Sequence, residues 1–176
     1  VQVSPSVTMK SHFTVSGRAA GRVDGLEPLW EVLDDRSGSY DAVAISSVID
    51  VPTSYHTQYF EVAGAMVNPW GGVEAMLTHA LSTIYDIPSA HSPMMETQEI
   101  ANMDPGIVDS RMAAEAVSLT FLQCILKGLQ RSPGIVTDDD LMDRHGVLTA
   151  RDIACLVIPD GCVGLPTLAA LEPGIP

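Results

Sequence analysis

AVAISSVIDV, residues 42–51, is β-branched and almost uncharged, the composition of a strand covered on both faces, and it reads as a central parallel strand. Pro52 ends it. Farther on, MVNPWGGVEAMLTHALSTIYDIP, residues 66–88, opens the clearest helix in the chain. Asn68 is a natural N-cap, Pro69 suits the first helical position, and Val73, Met76, Leu77, Ala80, Leu81 and Ile84 fall on one stripe. Upstream, Leu26, Leu29, Trp30 and Leu33 carry helical spacing and predict a short helix. Strand and helix in alternation place the chain in the α/β class: a mostly parallel sheet flanked by helices, Rossmann-like.

Working outward, residues 1–12 (VQVSPSVTMKSH) alternate apolar and polar with Pro5 inside, which suits an edge strand or an extended arm. Gly17, Gly21 and Gly25 punctuate the next stretch, TSYHTQYF is a polar-aromatic connection, and PSAHSP reads as a loop carrying His91. A further helix is expected from about Arg111, capped by Asp109 or Ser110 and running to Gly128, with Pro133 closing the region. TDDDLMDRHG is a solvated loop or poor helix, IACLVI (153–158) a second buried strand, PDGCVG a turn and PTLAALEPG a short helix. The final Gly-Ile-Pro is the ordinary approach to another parallel strand. The expectation is therefore that residues 1–176 form one α/β domain or part of a larger two-lobed α/β protein.

Composition narrows the functional classes. With 46% hydrophobic and 18% charged residues, 176 residues build a substantial core. Nine Lys and Arg against 22 Asp and Glu give a net charge of −13, a field that repels phosphate backbones and anionic headgroups, so nucleic-acid partners are disfavoured. No apolar run reaches the roughly 18 residues of a membrane span, so no direct membrane insertion is expected. Cys124, Cys155 and Cys162 are odd in number and lack metal-ligand spacing, which fits a reducing compartment. The N-terminal stretch has neither signal-peptide nor transit-peptide character, but a chain opening on Val1 says little about address.

Five places carry candidate chemistry. In NPWGG, Asn68, Gly71 and Gly72 at a helix entry would let a phosphate or carboxylate reach the backbone N–H groups, or would simply permit tight helix packing. Glu74 and His79 share that helix with His91 nearby in sequence, but five residues are about 140° of rotation, so no ligand pair forms and a metal site is disfavoured. His79 could instead meet His91 for acid/base work; otherwise each is a structural histidine. Arg111 would grip an anion, or pair with Glu115 on the helix surface. Lys127 and Arg131 best suit a helix C-terminus. Asp160, Gly161, Gly164 and Thr167 occupy a loop between a strand end and a helix start, where open α/β sheets bind ligands; Cys162 there has no identifiable base.

The blocks FTVSGRAAG, AMVNPWGGVEAMLTHALS, PSAHSPM, DSRMAAEAVSLTF, LKGLQRSP and VIPDGCVGLPTLAALEPGIP resemble, from about Phe13 onward, the family known as domain of unknown function 3326. The last block also has a short likeness to two-Rossmann nucleotide-sugar glycosyltransferases. The family resemblance implies a cyanobacterial or plastid source, hence a cytoplasmic or chloroplast address, and members that extend beyond both ends of this segment. It implies no particular reaction, catalytic residue or cofactor.

From the residues themselves, the leading expectation is an enzyme or binding protein for a small anionic metabolite: a nucleotide, sugar phosphate or carboxylate. His79 or His91 would be the acid or base, Arg111 the clamp, and the two helix starts the cradles. The competing expectation is a non-catalytic accessory or assembly subunit of a larger, photosynthetic complex, with a protein partner or a second copy. An acidic chain with eight methionines and an extended arm suits that role.

Overall fold

Residues 42–51 form the strand that their composition dictates: β3 spans Val43–Asp50, with Ile49 and the following Val51 almost fully buried. The computed structural model describes residues 7–61, 66–95, 97, 98, 106, 107, 110, 121–158, 160 and 163–176. The chain divides into two units, residues 1–135 and 136–176.

In the first unit, β1 (Thr8–Phe13) and β2 (Ala19–Asp24) form an antiparallel hairpin, registered from Thr8↔Asp24 to Phe13↔Ala19. Gly17 turns it at φ +79°, a conformation that favours glycine. α1 (Glu27–Asp35) then buries Leu29 and Leu33, one turn apart, with Pro28 in its first turn. After β3 come α2 (Thr53–Glu61), α3 (Gly71–Tyr85), β4 (Ser89–Met94) and, later, α4 (Phe121–Leu129). The sheet order is β2-β1-β3-β4, with β3 parallel to both β1 and β4. The fold is thus α/β, with a mixed and mostly parallel four-stranded sheet.

One face of that sheet is the core. Met9, Ile49, Val51, Leu29 and Leu33 pack with Val73, Leu77 and Leu81, which recur every fourth residue along α3. The α3 stripe is narrower than its sequence period suggests, since Met76 and Ile84 stand about half exposed.

Several expectations are corrected. The stretch read as an edge strand or arm over residues 1–12 is, from Thr8, a strand flanked on both sides; residues 1–6 lie outside the described structure. The segment around His91 is strand rather than loop. Its low apolar content hides it, and Pro93 is tolerated because β4 ends the order of the described strands, where a missing N–H breaks no described ladder. TSYHTQYF is the helix α2, burying His56 and Tyr59 three residues apart.

The second unit has 3₁₀ turns at Asp139–Leu141 and Ala150–Asp152 and the short helix α5 (Leu165–Leu171). Residues 153–158, expected as a buried strand, join no sheet. Leu156 N–H donates to the Pro176 carbonyl, but Ile153 and Val157 face solvent, because the described part of this unit has no sheet to receive them.

Candidate functional site

The alternation of β3 sends Val43, Ile45, Ser47 and Ile49 to the inner face, so one of the two adjacent serines points inward and the other, Ser46, outward. In the parallel ladder Ile45 pairs with His91 and Ser47 with Pro93, which puts Ser47 diagonally next to His91 on the same face. The imidazole reaches along the strand direction, and Nε2 lies 2.9 Å from the Ser47 hydroxyl. On the ring's other side, Nδ1 lies 2.8 Å from Oε1 of Glu74, which projects from the first turn of α3. The His91 side chain is 1% exposed and that of Glu74 23%.

Donor and acceptor roles are set by the partners. A carboxylate only accepts, so Nδ1 of a neutral ring carries the proton and donates to Glu74. Nε2 is then an acceptor, and the Ser47 O–H donates to it. A hydroxyl, an imidazole and a carboxylate thus form one continuous row, contributed by β3, β4 and α3.

A cavity of about 270 Å³ opens beside this row. Glu74, His91 and Asn68 form its polar side; Phe60, Trp70 and Phe121 are its aromatic walls. Among the described residues lining it there is no Lys or Arg. Pro93 and Met95, at the carboxyl end of β4, and the entry of α3 place it where parallel α/β sheets generally hold ligands. Trp70 is held edge-on by His56 and Tyr59 of α2, with ring centres 5.0 Å and 5.6 Å away.

The Asn68 side-chain oxygen accepts from the N–H groups of Trp70 and Gly71, at 2.9 Å and 3.1 Å, so two amides that an anion would use are already satisfied. Helix α3 starts at Gly71, two residues later than Pro69 led one to expect, while Asn68 still supplies the cap. Pro69 is buried, and its carbonyl accepts from Ser11 of β1. Gly72 lies against β2: a Cβ there would stand 2.2 Å from the Ala19 carbonyl oxygen. Its lack of a side chain lets α3 lie close on β2, whereas at Gly71 the nearest atoms are those of Asn68, at 3.7 Å and beyond.

Of the other sequence candidates, His79 is on the exposed face of α3, and both nitrogens of His91 are bonded elsewhere, to Glu74 and Ser47; the two histidines do not form the expected pair. Arg111, with Asp109 and Glu115, lies outside the described residues, as do Gly161 and Cys162. Lys127 stands exposed in the last turn of α4 and Arg131 just beyond it, the dipolar placement. Asp160, Gly164 and Thr167 belong to the second unit; Gly164 caps α5 and its N–H faces the Thr167 hydroxyl at 3.5 Å. Ser47 escaped the sequence reading. The available signal was a pair of serines inside an apolar strand, where alternation obliges one of them to face inward.

Among the described residues, no helix is long and apolar enough to cross a membrane, and no group of three or more His, Cys, Asp and Glu is placed to hold a metal ion. No solved structure matches the chain. An uncharacterised lipoprotein of the cyanobacterium Synechococcus sp. is 31% identical over 154 residues, which are 86% of this chain and 41% of that protein. The chain thus spans less than half the length of that relative. The profile of the family described as Protein of unknown function (DUF3326) matches residues 1–175, and the chain belongs to that family.

Proposed function

We propose that the chain binds a small, largely apolar organic molecule, neutral or cationic, in the cavity beside Glu74 and His91. The observation that carries this reading is the make-up of the cavity wall: three aromatic rings and a carboxylate, with no Lys or Arg among its described lining residues. A volume of about 270 Å³ is close to the lower bound of small-molecule pockets, roughly 300 Å³. The ligand class departs from the anionic metabolite expected from the sequence. An anion here would face Glu74 and a chain of net charge −13, and the Trp70 and Gly71 amides already bond to Asn68. A cation would lie between a carboxylate and aromatic faces.

Trp70 reports on the cavity directly. In a Trp30→Phe background, its emission is titrated with small aromatic and alkyl alcohols, the matching amines, and the matching carboxylates and phosphate esters. Alcohols and amines are expected to bind and the anions not. Glu74→Gln weakens the amines by about five- to tenfold, the loss of a charge-assisted contact, and spares the alcohols. Ile125→Phe, which narrows the cavity without adding a second indole, weakens binding of every member. Carboxylates or phosphates binding more tightly than the alcohols would reverse the assignment.

A second reading rests on the other unit. Leu148, Val157 and Leu165 are each more than four-fifths exposed, the kind of apolar surface by which an accessory subunit holds a protein partner. Sedimentation of the chain beside Val157→Glu and Leu165→Glu tests self-association through this surface. A loss of association in the variants supports it; a monomeric parent chain removes a second copy as the partner.

A further inference from the structure

The row of Glu74, His91 and Ser47 does more than hold a ring in place: we propose that Ser47 is an acyl-accepting nucleophile, and that the ligand of the neighbouring cavity is a neutral carboxylic ester. This deepens the binding reading above and rests on it.

Three observations converge. The spacings, 2.9 Å from hydroxyl to imidazole and 2.8 Å from imidazole to carboxylate, are those by which a base activates a hydroxyl and a third group fixes the base. The direction of the row is also right. The carboxylate fixes the proton on Nδ1 and turns Nε2 toward the hydroxyl, the tautomer that can take a proton from it. Lastly, the hydroxyl is only partly buried and lies 2.9 Å from the ring of His91, which lines the cavity, while Ser47 itself stands behind that ring and is not one of the described lining residues. A purely structural hydroxyl on an inner sheet face is satisfied more simply by backbone carbonyls, as Ser11 is by Pro69 and Ser89 by Thr78.

The chemistry balances without a metal or redox partner. Ser47 Oγ adds to the ester carbonyl carbon while its proton passes to His91 Nε2, and the imidazolium so formed is held by Glu74 through Nδ1–H. The tetrahedral adduct collapses, the bond to the leaving alkoxide breaks, and His91 returns the proton to it, releasing the alcohol. Water then attacks the acyl-Ser47 carbonyl, giving its proton to His91; the bond to Oγ breaks and Ser47 recovers its proton, releasing the acid. The sum is ester plus water giving acid plus alcohol. A neutral acyl substrate is preferred over a phosphate ester because the described cavity lining supplies no Lys or Arg for a phosphoryl group.

The test uses the full chain and diisopropyl fluorophosphate, which forms a stable Ser–O–P bond with loss of fluoride. Intact mass and peptide mapping follow the adduct. The neighbouring Ser46, on the exposed face of β3, is a control for indiscriminate serine labelling that needs no variant. One equivalent on Ser47 and none on Ser46 is expected. Ser47→Ala removes the adduct, His91→Gln slows its formation by at least about a hundredfold, and Glu74→Gln by at least about tenfold. Hydrolysis of p-nitrophenyl acetate should fall in the same order.

The Trp70 titration with neutral alcohols, run on the same preparations, separates the two claims. Alcohols that bind while Ser47 stays unlabelled would show the hydroxyl to be an anchor for the ring, overturning the nucleophile and leaving the cavity reading intact. Failure of both binding and labelling overturns both. Labelling of Ser47 at a rate that His91→Gln leaves unchanged also overturns the inference, since the hydroxyl would then owe nothing to its base.

Discussion

Adding one carbon at Gly72 should damage the protein, and adding the same carbon at Gly71 should not. A Cβ on Gly72 would stand 2.2 Å from the Ala19 carbonyl oxygen, 2.7 Å from its carbonyl carbon and 3.2 Å from the Ala20 nitrogen, all of them backbone atoms. Relief requires α3 and β2 to separate by about 1 Å, a gap that forfeits roughly a quarter to a half of the dispersion energy of the atoms that now touch. Gly21 is pressed on the same interface, its own missing Cβ 2.5 Å from Val73 Cβ, so there is no slack beside it. Overpacking costs about 1–3 kcal/mol, and a clash with backbone belongs at the top of that range. Alanine regains up to about 1 kcal/mol of helix propensity. The net loss is about 2 kcal/mol, or about 4–8 °C in Tm for a chain of this size. At Gly71 the nearest atoms are those of Asn68, at 3.7 Å and beyond, so Gly71→Ala keeps the propensity gain and stabilises by a few tenths of a kcal/mol, roughly. Urea unfolding followed by far-UV circular dichroism compares the two variants with the parent, provided that the slopes agree. Gly72→Ala matching or exceeding Gly71→Ala in stability would refute the packing argument and reopen the helix entry as a ligand cradle.

Leu77→Ala, at a core position 1% exposed beneath the sheet, should cost about 2–5 kcal/mol in the same unfolding assay; a loss under 1 kcal/mol, roughly the smallest core effect, would mean that α3 packs elsewhere. Asn68→Ala strips the cap from the Trp70 and Gly71 amides and should cost about 1–2 kcal/mol, with a change in Trp70 emission, whereas an unchanged emission would argue against the cap holding the cavity wall. Tyr85 is pushed up to about 12, first by burial and then by its hydrogen bond and proximity to Asp34. The folded state therefore favours its neutral phenol: the stability tied to it is whole below the unfolded value of 10.0 and drains as pH rises through about 12. Unfolding in that window, with an ultraviolet difference titration beside it, should show the decline flattened in Tyr85→Phe; an identical decline would assign it to other groups.

What the sequence disclosed was whatever is written locally. β3, α1 and α3 each carry a period or a composition that only one element satisfies, and α3 even names its cap in Asn68. β2 and β4 do not. AAGRVD has small residues because Val73 of α3 presses on Gly21, and SAHSPM has polar ones because His91 bonds to Glu74 and Ser47, and Ser89 to α3, so both read as punctuation. Residues 153–158 show the opposite error: an apolar run reads as a strand whether or not a sheet is there to take it. At the site, Glu74, His79 and His91 could be grouped from spacing, but spacing along a helix fixes a face and not what lies opposite. The partner of His91 turned out to be Glu74, in the first turn, rather than His79.

The packing of α3 and the row of Glu74, His91 and Ser47 beside it are one arrangement. Glu74 is two residues beyond Gly72, so the depth at which that glycine lets α3 settle on β2 also fixes how far the carboxylate stands from the ring on β4. β3 and β4 are locked to each other by six residue pairs in register, so Ser47 and His91 have little freedom to adjust. The helix is the element that can shift. A helix displaced by about 1 Å would stretch the 2.8 Å contact beyond hydrogen-bonding range while leaving the 2.9 Å contact within the sheet unchanged. Gly72→Ala should therefore act on the site as Glu74→Gln does, slowing the labelling of Ser47 without abolishing it, although residue 72 touches neither the hydroxyl nor the ring. A reading in which the glycines serve a ligand directly predicts the reverse: loss of binding, with the reactivity of Ser47 unchanged.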